Sequence, residues 1–240
     1  THIVVTGIEK VVPKLDDVSI LLRLLTRSAT GQEITSYVSF MSGPRRVDDA
    51  DGPEFFHVVL VDNGRSALAA SPVREILQCI RCGACMNHCP VYGVVGGHAY
   101  GAVYPGPLGA ALDPGLDGVP KTYHLPNASS FCGRCETVCP VKIPLTRVMR
   151  HWRNVAFERA IPSAAFGTGL KLWAWVARRP RLYRASSGIA AKLLLLLANR
   201  EGRLRSFPIL SGWFAGRDLA KPAATSFQSQ WRKRDRGTKS

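Results

Sequence analysis

Cys79-Ile-Arg-Cys82-Gly-Ala-Cys85-Met-Asn-His-Cys89-Pro90 sets four cysteines at intervals of two, two and three residues, with a proline directly after them. Cys132-Gly-Arg-Cys135-Glu-Thr-Val-Cys139-Pro140 repeats the last three positions. Together the runs use all seven cysteines of the 240-residue sequence. No thiol remains for a disulfide or a lone nucleophile, so the cysteine chemistry of this chain is metal binding. A run of this spacing closed by Cys-Pro is an iron–sulfur pattern. Structural zinc is the rival, but zinc sites usually pair two C-x2-C units around one tetrahedron, and this spacing is a poor match to that.

Three cysteines two residues apart wrap a short loop round one cubane. The fourth, three further on and followed by proline, turns away, and in two-cluster ferredoxins it ligates the other cluster. On that rule Cys79, Cys82, Cys85 and Cys139 hold one [4Fe–4S] cluster. Cys89, Cys132 and Cys135 hold a second, which is one ligand short, and the position three residues before Cys132 is Ser129. A three-thiolate site has several solutions: a [3Fe–4S] cluster, a cubane completed by serine, histidine or water, or a cubane with an open iron that binds substrate. Ser129, His98 and His124 are the candidate protein ligands; the competing reading makes each a hydrogen-bond donor to sulfide.

The rest of the chain is ordinary globular composition, 46% apolar and 20% charged, long enough for one or two domains with a core. It opens on Thr1 and an apolar strand-like run, with no signal peptide, which suggests a fragment of something longer. Residues 1–70 read as α/β. Ile3 to Ile8 is a strand, and Leu15 to Ser28 a helix with Asp16 and Asp17 in its first turn and Gly31 as its stop. Ile34 to Met41 and Phe55 to Val61 are two further strands, the last a continuous apolar run of the kind buried on both faces of a sheet. Glu9 and Lys10 read as a surface turn with a solvated ion pair, against the alternative of a ligand site at a strand's carboxyl end.

Ser71-Pro72 starts a short helix, Ser as N-cap and Pro at N1, and Pro90 starts another turn. Gly93 to Gly118 holds eight glycines, too many for a regular element; it offers close backbone approach to a cluster. His98, Tyr100 and Tyr104 are read as packing this loop, against the alternative that they line the second cluster. Pro144 opens a helix with Leu145, Val148, Met149, Trp152, Val155 and Ala156 on one stripe, and two more helices follow near 164–178 and 181–199. The run Gly188 to Ala198, interrupted by Lys192, is too short to span a bilayer and reads as a buried helix.

Charge is partitioned. Residues 1–141 carry 11 Lys and Arg against 13 Asp and Glu, and residues 142–240 carry 21 against 4. The basic last third lacks a nucleic-acid motif, and Trp173 and Trp175 beside Arg178 and Arg179 suit an acidic partner protein or peripheral contact with a membrane surface.

The stretches Val5 to Pro13, Gly43-Pro44-Arg45-Arg46, Asp62 to Ser66, Cys79 to Cys85, Gly96 to Gly101, Tyr104 to Pro107, Leu125 to Ser130, Gly212-Trp213 and Gly216-Arg217-Asp218 together resemble the iron–sulfur lactate utilization protein B family, C-terminal half. The resemblance implies an α+β chain. Residues 1–70 would close an α/β domain (LUD, CoA-transferase-like), 71–160 would form an α-helical ferredoxin domain with two clusters, and 161–240 a basic helical region with an extended tail. It implies action with two other lactate utilisation proteins, one of them cysteine-rich, in oxidising L-lactate to pyruvate in the bacterial cytoplasm. It also makes the absent ligand at Ser129 a family trait.

Oxidising a 2-hydroxy acid removes two electrons and two protons, whereas a cubane passes one electron at a time. The expected role is therefore an electron-transfer subunit. The alternatives are a subunit for another 2-hydroxy acid of glycolate type, a disulfide reductase on the same fold, or an assembly subunit with structural clusters.

Overall fold

The computed structural model describes residues 1–35, 37–199, 201–205, 214 and 216–237, and the chain divides into two units, Thr1–Ser163 and Ala164–Ser240. The first unit begins with β1 (His2–Gly7) and α1 (Leu15–Thr30), and α1 ends where Gly31 takes the left-handed conformation, φ 75°. β2 (Phe56–Val61) pairs with β1 in parallel, from His2 opposite Phe56 to Gly7 opposite Val61.

Two strand expectations fail here. Ile34 to Met41 forms no strand among the described residues; Tyr37 and Phe40 are exposed. A strand must pair its backbone N–H and C=O groups, and this segment has no ladder partner there. β2 is not buried on both faces either: Val58, Val59 and Leu60 are all exposed.

After α2 (Arg65–Ala69), Ser71 does not cap a helix. Its hydroxyl donates to Leu68 O at 2.7 Å and accepts from Val73 N at 3.3 Å, and a 3-10 turn follows at Arg74–Gln78. Then come α3 (Ala84–Asn87), α4 (Pro90–Val95), α5 (Gly106–Leu116), α6 (Val119–Thr122), α7 (Arg134–Thr137) and α8 (Leu145–Glu158).

The core of this unit is α5 against α8. α5 lies inside the glycine-rich stretch for which no regular element was expected, and it is buried from Gly106 through Pro114. The glycines are there for close approach. A Cβ on Gly109 would collide with the Tyr104 carbonyl, and one on Gly115 would come within 2.6 Å of Leu68 Cδ1. α8 follows its expected stripe: Leu145, Val148, Met149, Trp152 and Ala156 are buried, each of the larger ones contributing about 1.5–3 kcal/mol by burial. The Trp152 indole N–H donates to Ala111 O of α5 at 2.8 Å. Glu136, from the second cysteine run, caps α8: it accepts from Thr146 N at 2.6 Å and from the Thr146 hydroxyl.

The second unit contains α9 (Ala164–Ala177) and α10 (Pro180–Leu197), which pack on each other. It also has a two-residue antiparallel pair, β3 (Arg203–Leu204) with β4 (Leu219–Ala220), and α11 (Phe227–Gly237). α10 is not the buried helix expected from its leucines. Neither α9 nor α10 has a buried residue, and Leu193, Leu196 and Leu197 are exposed, because two helices side by side cover only one stripe of each. Among the described residues, no helix is long and apolar enough to cross a membrane. Gly212-Trp213 lies outside the described residues.

Asp113 of α5 is buried at 1% exposure, with one carboxylate oxygen unpartnered. Burial, and then the like charge of Asp117, push its carboxyl up to about 7 against the pull of Arg81 and the Tyr104 amide. The native state therefore holds this proton more tightly than the unfolded chain, and stability is lost as pH rises from about 4 to about 7. Asp113→Asn removes that titration. Its unfolding free energy from urea titration is expected to gain on the wild type by at most about 3 kcal/mol between pH 5 and pH 8; a constant difference would show that Asp113 does not titrate in this range.

Candidate metal centre

The two cysteine runs fold the same way. Arg81 (φ 62°) and Gly83 (φ 79°, ψ −6°) flank Cys82 and lead into α3, and Phe131 (φ 56°) and Gly133 (φ 79°, ψ −7°) flank Cys132 and lead into α7. Left-handed backbone at an arginine and a phenylalanine is costly, so the surroundings must over-determine it. In the first run Arg81 N donates to Cys79 Sγ at 3.4 Å. In the second Phe131 N donates to Ser129 Oγ at 3.2 Å. Ser129 thus occupies the local position that Cys79 has in the other run.

The Cys-Pro pairs act through the backbone. Pro90 starts α4 as expected, and Cys89 is its N-cap, its sulfur accepting from Tyr92 N at 3.4 Å. Cys139 Sγ accepts from Ile143 N at 3.4 Å. Amides aimed at sulfur stabilise a thiolate and favour it as a ligand.

Cys79, Cys82, Cys85 and Cys139 line one cavity, sheathed by Leu108, Ile143 and Leu145. Burial, then the charge of Cys79, pushes the Cys85 thiol up to about 12, and burial raises Cys79 against the pull of the Arg81 amide. Thiols so buried ionise readily only beside a cation. Among the described residues no three His, Cys, Asp or Glu side chains converge on a single metal ion; the four thiols ring a space instead.

Cys135 is pushed up to about 11, by burial first and then Glu136, and it also feels the charges of Cys132 and Cys89. Cys132 is exposed and its thiol is held below the usual range by the Arg134 amide and the Ser130 hydroxyl. Arg153 of α8 holds the approach to this run. It donates to Pro126 O at 3.0 and 2.8 Å and to Ser129 O at 3.1 Å, and stacks over the Phe131 ring at 4.1 Å. His98 and His124 line a cleft with Tyr92 and Lys121 that contains none of the seven cysteines.

Tyr100 was read as packing the loop, with lining the second cluster as the alternative. It is buried at 5% exposure, its hydroxyl has no hydrogen-bond partner, and burial and then the Cys89 charge raise its pKa. An orphaned donor beside Cys89, amides aimed at sulfur and four thiols on one apolar-walled cavity form a donor set that fits iron–sulfur clusters. Glu9 was also misread. Its side chain is 6% exposed and paired with Arg65, a partner too distant in sequence to be seen without the fold.

Comparison with known proteins places a 4Fe-4S dicluster domain at residues 75–143, a LUD domain at 1–61 and the C-terminal region of lactate utilisation protein B at 164–236. Lactate utilization protein B of Shouchella clausii is 43% identical over 98% of this chain and 50% of its own length, and that of Geobacillus thermodenitrificans 42% identical over 99% and 50%. The uncharacterized electron transport protein YkgF of Escherichia coli is 41% identical over 97% of this chain and 49% of its own length. The chain thus spans about half the length of these relatives. No solved structure matches it.

Thiol alkylation of chelator-stripped protein, followed by mass spectrometry near neutral pH, is expected to modify Cys132 first and Cys85 last. Early modification of Cys85 would contradict the burial described here.

Proposed function

Because the chain belongs to the lactate utilization protein B family along the half of those proteins that it spans, we propose that it is the iron–sulfur electron-transfer part of a bacterial protein that oxidises L-lactate to pyruvate. The observation that carries this reading is the meeting of both cysteine runs, Cys79, Cys82 and Cys85 with Cys139, in one apolar-walled cavity. Cys89, Cys132 and Cys135, with Ser129 at the fourth position, would hold a second group. Iron–sulfur clusters bound at these two sets would supply one-electron transfer.

The protein's own residues do the rest. The amides of Arg81 and Ile143 hold two of the first set's sulfurs in orientation. Leu108, Ile143 and Leu145 limit water at that cavity, which strengthens every charge interaction inside it. Tyr100 offers a hydroxyl proton beside Cys89, a donor that favours the more negative, reduced state. Arg153 fixes the loop that carries Ser129 and Phe131. Two partner proteins, one of them cysteine-rich, would exchange electrons with this chain in the cytoplasm, and its basic last third suits an acidic partner surface.

The test is lactate-driven reduction. With the two partner proteins present and oxygen excluded, L-lactate is expected to bleach the visible absorption of the chain, and Cys139→Ser to abolish the bleaching. Bleaching by glycolate alone, or none with any 2-hydroxy acid, would overturn the assignment. Tyr100→Phe is expected to lower the midpoint potential of one group and leave the other unchanged, as read by redox titration; equal shifts in both would contradict its placement beside Cys89.

A further inference from the structure

At the carboxyl end of β1 the chain turns through Gly7 into a 3-10 turn, Ile8–Lys10, and Glu9 goes inward, its side chain 6% exposed. Three cations gather on that one carboxylate. Arg65 Nε lies 2.5 Å from Oε2, Arg81 Nη2 3.7 Å from Oε1 and Lys10 Nζ 3.9 Å from Oε1. A Cβ on Gly7 would crowd the ends of the Glu9 and Arg65 side chains.

One carboxylate faces an ammonium and two guanidiniums in a partly desolvated place, and the Lys10 ammonium also donates to the Cys79 carbonyl. Arg81 Nη1 is buried without a hydrogen-bond partner, and its guanidinium is held over the Tyr104 ring at 4.0 Å.

Lys10, Arg65, Arg81 and Tyr104 line an open cleft of about 470 Å³, with Val5 and Met86 as apolar wall. That size, largely apolar with a few convergent polar groups, is the ordinary anatomy of a small-molecule site, at the strand end where parallel sheets bind ligands. Gly83 and Leu108 line both this cleft and the cavity of Cys79, Cys82, Cys85 and Cys139, so one wall separates the two.

We propose that this cleft binds a small carboxylate anion of 2-hydroxy- or 2-oxo-acid size, its carboxylate on Lys10 and Arg81. The existence of the site rests on the cleft and on the unpartnered Arg81 nitrogen; only the identity of the acid rests on the proposed function. The anion pairs with the two cations and brings its carbon skeleton to the wall shared with the thiol cavity.

Calorimetry of the iron–sulfur-loaded chain at low ionic strength tests this. L-Lactate and pyruvate are expected to bind saturably at one site, and 1,2-propanediol, which lacks the carboxylate, not to bind. Lys10→Gln and Arg81→Gln should each weaken binding at least tenfold while keeping the visible absorption; where Arg81→Gln loses that absorption, Lys10→Gln decides. No saturable binding, binding unchanged in the variants, or sulfate bound more tightly than either acid would overturn the proposal. A chain that binds the acids but carries no iron–sulfur absorption would uphold the cleft and overturn the proposed function.

Discussion

Thiols from two separate runs must meet in one apolar cavity, and much of the first unit follows from that constraint. Bringing Cys139 back to Cys79, Cys82 and Cys85 requires the intervening chain to pass close behind them. α5 does this with glycine where a Cβ would strike backbone, at Gly109, or a neighbouring side chain, at Gly115. α8 then closes the arrangement, with Trp152 tied to α5, Glu136 of the second run capping it, and Arg153 holding the loop before Cys132. The burial that makes the cavity also raises Cys85 and Cys135 far above an ordinary thiol, so these side chains are suited to a bound cation and poorly suited to remaining free.

The cysteine spacing and the stripe of α8 were legible because each is local: both are periodicities within one short segment. α5 was hidden because its glycines and prolines locally argue against a helix, while Gly109 and Gly115 answer close approaches of Tyr104 and Leu68 from other points in the chain. The Ile34 to Met41 segment has the apolar residues of a strand and no ladder partner among the described residues, and composition does not encode a partner. The equivalence of Ser129 with Cys79 was suggested by counting, and it gains physical content from the matching amide bonds and left-handed turns in the two runs. Glu9 shows the opposite case. Beside Lys10 it looked like a solvated pair, yet its shortest ionic contact is Arg65, which only the fold brings near.

The second unit obeys a different balance. α9 and α10 bury none of their residues, and Trp173, Trp175 and several leucines are exposed beside a strong excess of Lys and Arg. Arg179 stacks over Trp175 at 4.1 Å and donates to its carbonyl at 2.9 Å, so the aromatic surface is partly covered by its own basic residues. Charge and exposed aromatics on one helix pair give this unit an adhesive character that the first unit, near neutrality and with a closed core, lacks.

On the proposed reading the two thiol sets would hold two iron–sulfur clusters, the second completed by a group other than cysteine. Mössbauer spectroscopy of the chain reconstituted anaerobically with labelled iron, with iron and sulfide counted on the same sample, decides this. Two cubanes, about eight irons in all, are expected, with one iron of distinct isomer shift that moves toward the others in Ser129→Cys. Four irons or fewer, or zinc in place of iron, would contradict it.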